Sequence, residues 1–306
     1  MKKILIATVS VIVFGISATA VAIGAEPSPS VIAAKLERLY AVDESPLYSG
    51  NERIEAIVSA YERIFDKEQG SALESVTDAD LDLLYQAANT AAFYSGKRAY
   101  ANEMARLLAE LEGRGLANRE HWVDMHRALV GARMFDKARA LQHAHPLEGM
   151  EILPEIRMDP GLEGLTTWSV SATGRRLTEQ PLDLQVPATI VVVSTPRCRF
   201  SQAAVAAIDD DSVLGPVFAR HAQWLAPPSG KLDFDLMQEW NGEHPKAPLS
   251  LAIERDDLPM IDNWNTPTFY FFKDGELAAK VQGWPRDGVG RRTEVAAALR
   301  KIGLLE

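Results

Sequence analysis

Apolar positions in this chain change their period near residue 150. Between residues 30 and 146 they recur every three or four positions, with almost no alternation of β-branched side chains. That spacing predicts amphipathic helices over 31–41, 51–63, 79–94, 97–112, 119–132 and 135–144. Thr77 or Asp78 is placed to cap the helix that begins near Asp80, and Asn118 the one that begins near Arg119. Gly113 and Gly115 mark a stop. Past residue 165 the period shortens. Residues 166–173 and 175–184 read as two strands around a turn at Gly174. A β-branched run at 190–193 and an aromatic run at 268–272 read as buried strands. Asp274-Gly275 is a hairpin turn leading into a strand at 277–281, and residues 202–208 read as a helix. Between the two regimes lies a stretch with Pro146, Pro154 and Pro160-Gly161.

The helical half contains an echo. Arg63-Ile-Phe65-Asp-Lys-Glu68 returns as Arg98-Ala-Tyr100-Ala-Asn-Glu103 and again as Arg133-Met-Phe135-Asp-Lys-Ala138, each copy 35 residues after the last. Gly96 and Gly131 keep the same offset. Each aromatic would lock one helix against its partner. A helix-pair repeat of this period resembles the tetratricopeptide (TPR) class, with Gln69-Gly70 interrupting the second helix of the first copy. Such a stack presents a concave surface suited to a protein partner.

Composition narrows the setting. The chain has 306 residues, 47% hydrophobic content and a net charge of −10. That is enough apolar material for two cores, and the acidic balance argues against nucleic acid or anionic lipid as a partner. Met1-Lys2-Lys3 followed by an apolar-to-small stretch to Ala25 reads as an export signal or an uncleaved N-terminal membrane anchor. The expectation is an exported chain, periplasmic or anchored facing the periplasm. The expected organisation is 1–25 signal or anchor, 30–148 helical domain, 149–164 linker and 165–306 a second domain.

The second domain holds the one cysteine of the chain, Cys198. It follows the 190–193 strand and the Pro196 turn and opens the helix that contains 202–208. A sulfur there meets unpaired N–H groups and the positive end of a helix dipole, which favour a thiolate. In an exported chain an unpaired cysteine points to an intermolecular disulfide or a reactive thiol. Thr266-Pro267 opens the aromatic strand, and Gly283 follows the hairpin. The pair Cys198 and Pro267, in this order, resembles the thioredoxin superfamily. That resemblance implies a central mixed sheet flanked by helices, with a cis-proline loop beside the thiol presenting backbone groups to a bound peptide. The fold class expected overall is therefore α plus α/β: TPR-like helical hairpins, then a thioredoxin-like domain. The hairpin at 166–184 also resembles the one that precedes the core in exported thioredoxin-like proteins of the cytochrome-maturation type.

Four departures matter. Ser201 stands where the second cysteine of C-x-x-C would be, so the site can attack a disulfide but cannot resolve the product. Arg197 replaces the usual tryptophan, and Val192 falls near the position of the usual buried acid. The 69 positions from Cys198 to Pro267 also exceed a minimal thioredoxin, with the extra text expected between Trp224 and Asp262. The string Cys198-Arg-Phe-Ser201-Gln is similar to that of a monothiol member of the protein disulfide isomerase family, which captures clients as mixed disulfides.

The leading reading is monothiol disulfide chemistry at Cys198, forming mixed disulfides with protein partners or small thiols. Ser201 and Pro267 would complete the site, and Thr266, Arg197, Arg199 and Phe200 would contact the bound chain. The two arginines would help lower the thiol pKa. The competing reading is a non-catalytic adaptor that binds partners through its helical repeat. A peroxiredoxin-like site is disfavoured because the strand 190–193 occupies the place of an upstream proline. The six histidines show no metal-ligand frame, and no metal or cofactor is expected.

Overall fold

The computed structural model describes residues 30–285 and 289–306. The expected signal or anchor at 1–25 lies outside them. Among the described residues no helix is long and apolar enough to cross a membrane. Six helices fall where the apolar spacing put them: α1 Val31–Asp43, α2 Gly50–Ile64, α3 Asp78–Ser95, α4 Arg98–Gly113, α5 Arg119–Gly131 and α6 Phe135–Ala144. Thr77 Oγ1 accepts the Asp80 N–H at 3.1 Å, and Asn118 caps α5 while the His121 ring accepts the Asn118 N–H in return.

The 35-residue echo has a spatial counterpart. Arg106 donates to the Ser71 carbonyl at 2.7 Å, Lys137 to Asn102 at 3.2 Å and Asn89 to Asp124 at 3.3 Å, each pair 35 residues apart. Gly96 takes φ 65° at the end of α3, and a Cβ there would come within 3.2 Å of the Gly131 carbonyl. The three echoed aromatics, Phe65, Tyr100 and Phe135, are all buried. After Phe65 the chain turns through 66–70 without forming a helix, so the first copy lacks its second helix.

The rest builds one mixed sheet. Its strands are β1 Glu155–Arg157, β2 Thr166–Val170, β3 Arg176–Pro181, β4 Ala188–Val193, β5 Ala222–Ala226, β6 Leu249–Ala252, β7 Thr268–Lys273 and β8 Glu276–Gln282. The spatial order is β1-β3-β2-β6-β5-β4-β7-β8. Helices α7 Arg199–Asp209 and α8 Leu214–His221 link β4 to the parallel β5, α9 Phe234–Glu243 links β5 to the parallel β6, and α10 Val289–Lys301 follows β8. β4 pairs antiparallel with β7, Val193 opposite Thr268 and Ile190 opposite Phe271. Asp274 (φ 49°) and Gly275 (φ 83°) make the turn to β8.

Both faces of the centre are covered, which explains its unbroken apolar runs. Ile190, Val192, Phe269 and Phe271 face one cluster; Val191, Val193, Tyr270 and Phe272 face the other. The extra text before Asp262 supplies α9 and β6, and β6 bridges β5 to the β2–β3 hairpin. Residues 149–164 contribute the edge strand β1, parallel to β3.

The helical half shares the first cluster with the sheet. Phe135 of α6 meets Trp168 of β2 at 5.6 Å between ring centres. Arg133, just before α6, is buried and crosses to the sheet, donating to the carbonyls of Ile253 at 2.7 Å and Ala252 at 3.0 Å. Gly230, in the loop after β5, sits so close to α5 that a Cβ would meet the Arg127 carbonyl at 3.0 Å.

Inside the helices, His126 is buried and its Nε2 has no hydrogen-bond partner. Burial, aided by the Arg127 charge, pushes its pKa down from 6.5 to about 4. Between those values the unfolded chain binds the proton and the folded chain does not, so stability falls as pH drops through that window. Urea unfolding of wild type should lose roughly 1 kcal/mol more than His126→Gln between pH 6.5 and pH 5. Parallel pH slopes for the two proteins would contradict this.

Candidate functional site

Val193 ends β4 in the middle of the sheet, and Ser194, fully buried, donates its N–H to the Leu225 carbonyl at 2.9 Å. The chain then turns, Cys198 N–H reaching back to the Thr195 carbonyl at 3.1 Å, and Cys198 becomes the N-cap of α7. Its φ of −90° and ψ of 111° are extended, and its side chain makes no capping bond. No acidic residue occupies the first turn of α7, so nothing there opposes a negative sulfur.

The strand beside it brings the second element. The Thr266–Pro267 peptide bond is cis. In the thiol form, Cys198 Sγ donates to the Thr266 carbonyl at 3.3 Å. The approach to this loop is pinned from below: the Tyr270 hydroxyl accepts the Asn263 N–H at 2.8 Å and lies 2.9 Å from Asp262 Oδ1. Thr268 Oγ1 donates to the Asn265 carbonyl at 2.6 Å, and Gly283 N–H to the Pro267 carbonyl at 2.8 Å. The loop is therefore held on both sides of Pro267.

Burial by itself raises the Cys198 pKa, because it penalises the charged form. Hydrogen bonds to the charged form outweigh it: the Thr266 side chain, the backbone N–H groups of Ser201 and Phe200, and the Ser201 hydroxyl together bring the thiol below its ordinary value. Ser201 is fully buried and its Oγ has no partner while the sulfur is protonated. It is a free donor beside a thiol that can become an acceptor.

The structure thus brings Cys198, Ser201, Thr266 and Pro267 together, with the Phe200 N–H. It does not bring the two arginines to the sulfur. Arg197 turns away and grips Asp233 with two bonds, at 2.7 and 2.6 Å. Arg199 is exposed, with its guanidinium 4.8 Å from the Phe200 ring centre. The expectation that these charges lower the thiol pKa is corrected: against the rise from burial, the groups that lower it are the Thr266 side chain and then the first turn of α7. Val192 is fully buried between Phe269 and Trp224 in register, where a carboxylate would be unsolvated. Asp233, at φ 51° just before α9, was missed by the sequence reading, since nothing local marks it as the partner of Arg197. Trp224, Trp240, Trp264 and Trp284 are buried core residues. Among the described residues no group of three metal-ligating side chains occurs.

A thiol capping the helix after a central strand, and a cis-proline opening the antiparallel neighbour of that strand, define a thioredoxin-like fold with a single sulfur at its site. No family model matches the chain, and no curated protein matches it. Solved structures give low-scoring matches. A thioredoxin-like protein in its oxidised form is 15% identical, over 48% of this chain and 95% of its own, with a TM-score of 0.33. A hypothetical protein from Sinorhizobium meliloti is 16% identical over 49% and 86%, at 0.33. A thioredoxin-like protein from Bacteroides caccae is 10% identical over 81% and 95%, at 0.30. Scores this low add no argument, and the fold rests on the topology.

Proposed function

We propose that this protein forms mixed disulfides through Cys198. The observation that carries the reading is the pairing of a thiol at the N-cap of α7 with the unpartnered buried hydroxyl of Ser201, a donor free to bond the thiolate. The Cys198 thiolate attacks one sulfur of a partner disulfide. That S–S bond breaks, a new S–S bond to Cys198 forms, and the other sulfur leaves as a thiolate that takes up a proton. With Ser201 in place of a second sulfur, the adduct persists until an outside thiolate attacks it. Thr266 and Pro267 orient the bound chain, and the exposed Arg197 and Arg199 and the half-buried Phe200 lie on its path. The helical half is read as TPR-like, supported by the hydrogen bonds between residues 35 apart. An exported setting, supported by the 1–25 composition, would supply the disulfides.

The test is alkylation of Cys198 as a function of pH, together with the mass of the protein after exposure to glutathione disulfide. Wild type should give a midpoint below the ~8.5 of a free thiol and gain one glutathionyl group. Ser201→Ala removes one donor to the thiolate, so its midpoint should rise and its alkylation at pH 7 should slow roughly three- to tenfold. A wild-type midpoint at or above that of a free thiol, with no adduct, would sink the reading.

A further inference from the structure

A cleft of about 400 Å³ separates the helical half from the sheet half, lined by α3 and α5 on one side and by the loops after β5 and β6 on the other. Arg197, next to the thiol, forms part of its wall. Its apolar surface includes Phe93, which is 70% exposed, and Pro228.

The charges in this cleft do not cancel. Each acid already has a cation: Asp233 holds Arg197 at 2.6 Å, Asp124 holds Arg127 at 3.1 Å, Asp256 faces Lys97 at 3.6 Å and Glu254 faces Arg98 at 3.8 Å. Lys231 and Arg255 are left, and neither makes an ion pair among the described residues. Arg255 is the more telling. Its guanidinium lies over the Trp264 ring at 5.4 Å, its Nη2 makes one long bond of 3.4 Å to the Pro228 carbonyl, and its Nη1 is buried without a partner. Burial pushes its pKa down to about 10, with no acid offsetting that loss of solvation. Behind it stands Arg133, buried and also held near 10 by loss of solvation, its value raised by the Glu254 charge and lowered by that of Arg255. Buried charges are ordinarily paired. An uncompensated guanidinium in the wall of an apolar-lined cleft, in a chain of net charge −10, is preorganised for an anion.

We propose that this cleft receives an acidic side chain, flanked by an apolar residue, of the polypeptide that Cys198 engages, with the carboxylate set between Arg255 and Lys231 and the apolar residue against Phe93. The proposal deepens the mixed-disulfide reading, on which it rests for the identity of the polypeptide. The guanidinium gains the carboxylate partner that it lacks, and charge-assisted bonds of this kind are the strong ones. The cleft holds only a few residues, so it would select the sequence near the captured sulfur and not a whole domain.

The experiment uses a fluorescein-labelled peptide, Gly-Phe-Glu-Glu-Phe-Gly, and its glutamine counterpart, Gly-Phe-Gln-Gln-Phe-Gly, with anisotropy read against reduced full-length protein. Neither peptide contains sulfur, so binding is independent of thiol reactivity and the two readings fail separately. The glutamate peptide should bind saturably, weaken with salt, and bind at least tenfold more tightly than the glutamine peptide. Arg255→Met should weaken it at least tenfold. Lys231→Glu, at an exposed position that leaves the fold intact, should do the same. Equal binding of the two peptides, or full affinity in Lys231→Glu, overturns the proposal. So does saturable binding of succinate that Arg255→Met abolishes when the glutamate peptide does not bind, since the site would then serve a small dicarboxylate.

Discussion

Replacing Arg133 with alanine is expected to lower the unfolding free energy by about 3 kcal/mol. Arg133 ties the helical half to the end of β6. It donates to Ile253 and Ala252 across the junction and to Val130 on its own side at 3.2 Å. Its guanidinium also lies 5.4 Å from the Trp168 ring centre and 5.9 Å from that of Phe135. Two effects oppose one another. Burying a guanidinium is unfavourable by several kcal/mol, and alanine removes that penalty. Three charge-assisted bonds, each worth about 1.5–3 kcal/mol, go with it, so these terms roughly offset. What remains is two carbonyls at the junction without donors, at about 1–3 kcal/mol each, and an unfilled space between two aromatic rings. The backbone supplies an internal control. Arg133 has φ 56°, a left-handed conformation that glycine adopts freely and alanine does not. Arg133→Gly should therefore be less damaging than Arg133→Ala by roughly 1 kcal/mol. Urea denaturation of the two variants reads both numbers. A loss below about 1 kcal/mol in the alanine variant, or the reverse order, would show that Arg133 does not hold the halves together.

Cys198→Ser should remove every reducible adduct of this protein without weakening its fold. Cys198 is partly exposed and caps α7 without a capping bond, so little is lost with the sulfur. Serine is a better N-cap, because its hydroxyl can accept an N–H of the first turn, and the variant should be as stable as wild type or up to about 1 kcal/mol more so. The functional effect is all or none, since the sulfur is the atom that makes the bond. Cells expressing each form would be quenched with an alkylating agent and separated without reductant. Slow-migrating, reductant-sensitive species present for wild type and absent for the serine variant match thiol chemistry. Identical partners with and without the sulfur would instead match an adaptor working through its helices.

The helices were legible because their signal is local. Leu81, Leu84 and Tyr85 lie on one face of α3 by spacing alone, and Thr77 and Asn118 cap through hydrogen bonds that span two or three residues. The turn at Asp274-Gly275 and the Thr266-Pro267 entry to β7 were legible for the same reason, since proline and glycine restrict or free their own backbone. The place of Cys198 at the head of α7 followed from the elements on either side of it.

The partners of the site were not legible. Arg197 was read as a charge for the thiol, and only the folded chain turns it onto Asp233, 36 residues away. The Ser201 hydroxyl could be assigned to the sulfur from its i+3 spacing, but its lack of any other partner depends on α7 packing against the sheet. The text before Asp262 looked like an insertion, yet β6 within it joins β5 to β2 and makes one sheet of two pieces. Arg133 stood out in the sequence as one copy of a repeat, and its reach across 120 residues to Ile253 is set by where α6 docks. Sequence by itself determined the elements, their caps and the position of the thiol, because those are set by interactions within a few residues. Tertiary structure alone decided the order of the sheet, the pairing of the arginines and the cleft between the halves, because a buried charge takes its partner from whatever surface the packed core brings within reach.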